Sequence, residues 1–204
     1  MTSLKPPTVL VLALLPAVVG AQTKLPPPAM AAARGPVTVL EGLPSRLGAF
    51  QRDGEVTDFE GRPGGAGLGA AAQYNEAGTR ASATVYVYDR GRHAMADGAE
   101  TPVVAEELGI AAAEIDGAAR NNRYRVLDRG PGLRIAGRAG TAMRCDRYSL
   151  QQPSGTVQDS HACVGVLREQ VVKLRVSVPR HGQAWATDPL VEAFGQAAVA
   201  ALGG

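Results

Sequence analysis

Cys145 and Cys163 lie equidistant from Ser154, the centre of a Pro153-Ser154-Gly155 turn signal between two strand-like segments, Thr141 to Leu150 and Asp159 to Arg168. A hairpin centred on Ser154 sets the cysteines directly opposite each other. Facing Cα atoms of an antiparallel pair stand roughly 4.5–5.5 Å apart, within reach of a disulfide. Two buried free thiols are the alternative. A second turn at Glu169-Gln170 leads into Val171 to Val178. It predicts Arg168 opposite Val171, Val176 opposite Cys163 and Leu174 opposite Gly165. One face then carries Met143, Cys145, Cys163, Leu167, Val172, Leu174 and Val176, a core face. The other carries Arg144, Arg168, Lys173 and Arg175 among Ala142, Val164 and Val166. The bridge is structural in this reading, because a redox role calls for Cys-x-x-Cys spacing or a low-pKa setting.

An oxidising compartment is also what the first residues predict. Lys5 supplies a positive start, Thr8 to Gly20 is apolar, and Val19-Gly20-Ala21 has the small residues a signal peptidase requires. Residues 1–21 read as a signal peptide cleaved between Ala21 and Gln22, placing the protein in the periplasm or outside the cell. As a membrane anchor the apolar run, about 13 residues, would span only ~20 Å of a ~30 Å hydrocarbon core. No later segment is long and apolar enough to span, so no transmembrane segment is expected after cleavage. Residues 22–36, with Pro26-Pro27-Pro28 and Ala31-Ala32-Ala33, read as a flexible leader, and 37–204 as a single domain.

Charge and aromatic content narrow the partners. The 204-residue chain has a formal net charge of +2, scattered basic residues and 4% aromatic residues. Nucleic-acid binders concentrate basic residues on one face, with aromatics for stacking, so nucleic acid is rejected as a partner.

Along the chain, Val37 to Leu40 reads as a short strand, and Pro44 can open a helical turn within Leu43 to Phe50. Gln51 to Phe59, Ala66 to Tyr74 and Ala81 to Tyr88 follow as strands. Both faces of Ala81 to Tyr88 are partly apolar, which points to a sheet covered on both sides. Thr101-Pro102 opens a helix whose stripe is Val104, Leu108, Ala111, Ile115 and Ala118. Glu106 and Glu107 read as dipole and solubility charges on its polar side. Tyr124 to Leu127 is a short strand broken at Gly130-Pro131-Gly132. Asp188-Pro189 caps and opens a second helix that ends at Gly203. The expected fold is α+β, a mainly antiparallel sheet of about six to seven strands packed against two main helices.

Candidate chemistry is sparse. Gly67-Leu68-Gly69-Ala70-Ala71-Ala72 matches a loose dinucleotide fingerprint, but a strand rather than a helix follows; the glycines are read as relieving crowding. His93, His161 and His181 lack metal-ligand spacing, so no metal or other cofactor is expected. Asp89-Arg90-Gly91-Arg92-His93 ends a strong strand, and Arg90, Arg92 and His93 are the candidate ligand-binding residues, suited to a carboxylate or phosphate. Asp97 and Glu100 would oppose that anion. Adjacent strand residues point to opposite faces, so Ser160 and His161 cannot act as a nucleophile–base pair. Trp185 is expected to pack the last helix on the sheet, or to lie over a ligand cleft. No catalytic residue is assigned.

Leu47-Gly48-Ala49-Phe50-Gln51-Arg52, Ala83-Thr84-Val85-Tyr86-Val87-Tyr88-Asp89-Arg90-Gly91 and Val171-Val172-Lys173-Leu174-Arg175-Val176 resemble a group of uncharacterised exported bacterial proteins. That resemblance implies export and no particular activity. The element order resembles the PsbP-type α/β/α sandwich, which implies an antiparallel sheet between helices and leaves function open. The expectation is a non-enzymatic binding or accessory domain whose partner is an envelope protein or a small ligand. The alternative is an exported hydrolase drawing its acid–base pair from His93, Asp89 or His161.

Overall fold

A computed structural model describes residues 35–203. The signal-peptide and leader expectations, with Ala21 and Gln22, lie outside them. The described chain runs α1 (Pro36–Glu41), β1 (Arg46–Leu47), β2 (Phe50–Asp58), β3 (Ala70–Glu76), β4 (Ala81–Tyr88), α2 (Pro102–Arg120), β5 (Arg125–Gly137), β6 (Gly140–Gln151), β7 (Val157–Leu167), β8 (Gln170–Pro179) and α3 (Asp188–Leu202). All eight strands form one sheet in the order β1-β2-β3-β4-β8-β7-β6-β5, and every pairing is antiparallel. The sheet is curled into a half-barrel.

This corrects the expectation of about six to seven strands: the described residues form eight, packed with two main helices, α2 and α3, and the six-residue α1. Local signals misled at three places. Val37 to Leu40 is helical, because Pro36 sits in the first turn of α1 and the run is too short for its apolar pattern to separate helix from strand. Leu43 to Phe50 holds β1, which folds back on β2 through Leu47↔Phe50 instead of making a helical turn. The strand at Tyr124 does not stop at Gly130-Pro131-Gly132. β5 runs through it with register shifts between Gly130 and Leu133, and Pro131 is accommodated because β5 is the last strand of the sheet.

Both faces of the sheet are covered. On one, Leu40 from α1 and Val191, Phe194, Ala198, Val199 and Leu202 from α3 join a core with Phe50, Tyr74, Val85, Ile135 and Leu174. Phe194 meets Phe50 at 4.7 Å and Tyr74 at 5.7 Å between ring centroids. α3 contacts β5 and β1, the two margins of the sheet, so it lies across the opening of the half-barrel. On the other face α2 packs Val104 and Leu108 against Val164, Val166 and Val171, and Ala111 and Ile115 against Tyr148, Leu150 and Ala162. This double cover explains why β7 is buried at every position from Asp159 to Leu167. Thr101 caps α2 by accepting the Val104 N–H at 3.3 Å.

Cys145 faces Cys163, as the turn signal predicts, and the two form a disulfide across β6 and β7. The next hairpin turns one residue earlier than expected. Its corner is Arg168-Glu169, with φ of 51° and 61°, the left-handed pair of a twist-matched two-residue turn. Leu167 therefore faces Gln170 and Cys163 faces Leu174. This moves β8 by two residues, which leaves every side chain on its expected face. Met143, Cys145, Cys163, Leu167, Val172, Leu174 and Val176 all fall in one core cluster.

The glycine run before β3 is a packing device. A Cβ at Gly69, where φ is +64°, would stand 1.9 Å from the Val87 carbonyl oxygen of the neighbouring strand.

Candidate functional site

The three residues singled out in the sequence do not stay together. Arg90 donates to Glu107 through Nε (2.7 Å) and Nη2 (3.1 Å), and Arg92 donates to it through Nη1 (3.0 Å). Arg92 also reaches Glu106 at 2.6 Å. The Tyr88 hydroxyl donates to Glu107 at 2.8 Å. His93 is exposed and stands apart from this knot. The carboxylate that Arg90 and Arg92 suit is thus one the protein supplies itself. Glu107 is 1% exposed and belongs to the buried side of α2, a correction to its reading as a solubility charge. Its place in the Val104/Ala111 stripe was readable as three residues after Val104 and four before Ala111; its partners were not. Burial raises its pKa, but hydrogen bonds from Arg90, Tyr88 and Arg92 outweigh that and hold it below the usual carboxylate range. Burial, with the Glu107 carboxylate beside it, pushes the Tyr88 phenol well above its ordinary value.

A second polar cluster forms where β6, β7 and β8 meet the start of α3. His161 Nε2 lies 2.9 Å from Asp188 Oδ1, and Arg147 pairs with the other oxygen of Asp188. Arg180 pairs with Asp159 and donates to Ser149 Oγ at 2.6 Å. Asp159 also accepts the Trp185 N–H at 3.0 Å. Sequence reading missed this cluster because its members are dispersed between residues 147 and 188. The only sequence signal was period-two alternation, which puts Asp159 and His161 on the Cys163 face, where α3 arrives. Asp188 was expected to cap its own helix. Thr187 takes the N-cap position without a side-chain cap bond, and Asp188 turns to the sheet instead.

Trp185 does pack the helix entry onto the sheet. Its ring lies edge-on to His161, 6.0 Å between centroids, with the Arg147 and Arg180 guanidiniums 5.1 and 5.8 Å from its centroid. Gly130 makes room for it, because a Cβ there would come within 2.8 Å of the indole.

His161 is 0% exposed. Burial lowers its pKa below 6.5 despite the opposing pull of Asp188. The ring is therefore neutral at pH 7; an ionised Asp188 requires Nε2 to carry the proton, leaving Nδ1 as a lone-pair acceptor. Nδ1 has no hydrogen-bond partner among the described residues. This is the electronic arrangement of a general base, but no substrate reaches a ring sealed under Trp185 and α3. As it stands the cluster ties β6 and β7 to the first turn of α3 through Asp188, and Arg180, just past β8, joins it through Asp159.

Below pH 6.5 the unfolded chain binds a proton at His161 that the folded chain resists, so stability falls as pH drops from 6.5 towards the lowered pKa. Urea midpoints measured from pH 8 to 5 should decline below 6.5, and His161→Gln should remove that part of the slope. An unchanged slope in the variant would show that His161 titrates alike in both states.

An open groove lies elsewhere. A groove of about 440 Å3 runs between the end of α2 and the start of β5, lined by Asp116, Ala119, Arg120, Asn122, Tyr124, Arg125 and Val126. Arg129 pairs with Asp116 at 2.5 Å. Among the described residues no group of three or more His, Cys, Asp or Glu is placed to hold a metal ion. No helix there is long and apolar enough to cross a membrane.

No family model, curated protein or solved structure matches the chain.

Proposed function

We propose that the chain is an exported accessory domain that binds a partner in the periplasm or outside the cell. The observation that carries the reading is the Cys145–Cys163 bridge between the neighbouring strands β6 and β7. Such bridges persist in oxidising compartments and are rare in the cytosol. The signal-like pattern of residues 1–21 supports it independently. Binding is favoured over turnover because His161 is fully buried and engaged with Asp188, and Glu107 is buried and engaged with Tyr88, Arg90 and Arg92, whereas the α2–β5 groove is open to a partner.

Expression with its own leader in a Gram-negative host tests this. Intact mass should give a chain beginning at Gln22, two hydrogens lighter than the dithiol, released by osmotic shock. Reduction should lower the unfolding free energy by about 3 kcal/mol, the chain-entropy value for a loop of this length. A leader still attached, with two alkylatable thiols in the cytosol, would overturn the reading.

The exported-hydrolase alternative has one observation in its favour, the 2.9 Å His161–Asp188 contact. It requires Trp185 to move aside. Hydrolysis of p-nitrophenyl acetate that disappears in His161→Gln would establish it over binding.

A further inference from the structure

We infer that the α2–β5 groove receives an acidic side chain flanked by apolar ones, presented by a segment of a partner protein. The inference rests on the binding-domain reading and gives it a place and a ligand chemistry. Arg120 and Arg125 line the groove, both are exposed, and neither makes an ion pair among the described residues. They differ in this from Arg90, Arg92, Arg129, Arg134, Arg147 and Arg180, each of which has a carboxylate partner.

The groups that would repel an anion there are already engaged. Asp116, the acid in the lining, is paired with Arg129. The last carbonyls of α2 are bonded as well: Gly117, Ala118 and Ala119 accept from the N–H groups of Asn121, Arg123 and Asn122 at 3.0–3.1 Å. That leaves two guanidiniums as the uncompensated charges of the groove, the donor type suited to bidentate carboxylate binding.

The apolar requirement comes from Ala119, Tyr124 and Val126 in the lining and from Leu127 beyond them. Leu127 is 41% exposed and occupies the register shift between Val126 and Asp128, so a β-bulge holds it outward. The same bulge interrupts the outer edge of β5, which disfavours strand addition and leaves side-chain recognition as the mode. An open groove whose lining is followed along β5 by an exposed leucine suits a segment of a larger partner better than an enclosed small molecule.

The test uses the oxidised full-length mature protein, 15N-labelled, titrated with acetyl-Ala-Leu-Glu-Leu-Glu-Ala-amide. Saturable amide shifts should centre on Asn122, Tyr124, Arg125, Val126 and Leu127. Affinity should fall at least about tenfold in Arg120→Gln/Arg125→Gln, the scale of one charge-assisted bidentate contact. It should fall similarly for the peptide with glutamine in place of glutamate. Equal binding of the glutamine peptide, no saturable shift at millimolar peptide, or full competition by succinate would each overturn the inference. Succinate competition would assign the groove to small carboxylates instead. Cytosolic retention of the protein would remove the export reading without touching this titration. A failed titration of a correctly exported protein would remove the groove alone.

Discussion

Replacing Asp188 with alanine is expected to lower the unfolding free energy by about 3–5 kcal/mol, the range for removing one partner of a buried ion pair. Asp188 serves two buried groups at once. Arg147 is 8% exposed and His161 0% exposed, so neither can turn to water when the carboxylate goes. The guanidinium would keep its bond to the Pro131 carbonyl but lose its counter-charge. The imidazole, already without a partner at Nδ1, would lose its bond at Nε2 too. Asp188→Asn should fall between, since an amide oxygen still accepts from Nε2 while the charge opposite Arg147 is lost. Urea unfolding of the oxidised protein followed by Trp185 fluorescence reads both, because the indole lies against His161 and Arg147. A loss below about 1 kcal/mol for the alanine variant would mean the cluster relaxes and is not what holds α3 to the sheet.

Glu107→Ala is expected to cost about 3 kcal/mol, the low end of the same range. Arg90 and Arg92 retain 30% and 26% side-chain exposure and can partly rehydrate once their carboxylate is gone. The Tyr88 hydroxyl is the less forgiving partner, because Tyr88 is 4% exposed. Glu107→Gln should recover part of the loss through hydrogen bonds to Tyr88 and one arginine. Arg90→Ala measured beside it separates the pair from the network: non-additivity in the double variant above about 1 kcal/mol is expected for groups sharing one carboxylate. Strict additivity would show that Glu107 holds Tyr88 and the arginines independently.

Those two carboxylates mark the boundary of what local pattern reveals. Glu107 lies three residues after Val104 and four before Ala111, on a stripe that sequence periodicity found, yet its sign and setting argued for the solvent side. Only Tyr88, Arg90 and Arg92, brought over it from the end of β4 and the following loop, make its burial tolerable. Asp188-Pro189 is a legible helix start, but the carboxylate's destination depends on where β7 places His161. The Arg168-Glu169 corner differed from the expected turn because neither residue announces a left-handed backbone, so the turn had no glycine or asparagine to mark it. β5 was cut short for the opposite reason: Gly130-Pro131-Gly132 carries a strong stop signal, and an outermost strand can absorb it.

By itself the chain determined the facing of Cys145 and Cys163, the inward side of β6, β7 and β8, and the starts of α2 and α3. These depend on periods of two and 3.6 residues and on turns and caps a few residues long, interactions written within one stretch of backbone. The tertiary structure decided the number of strands, the pairing of each buried charge and the position of the groove. Each of those depends on which distant side chains meet once the sheet curls and the helices settle on it, and contact between remote segments leaves no local period to read.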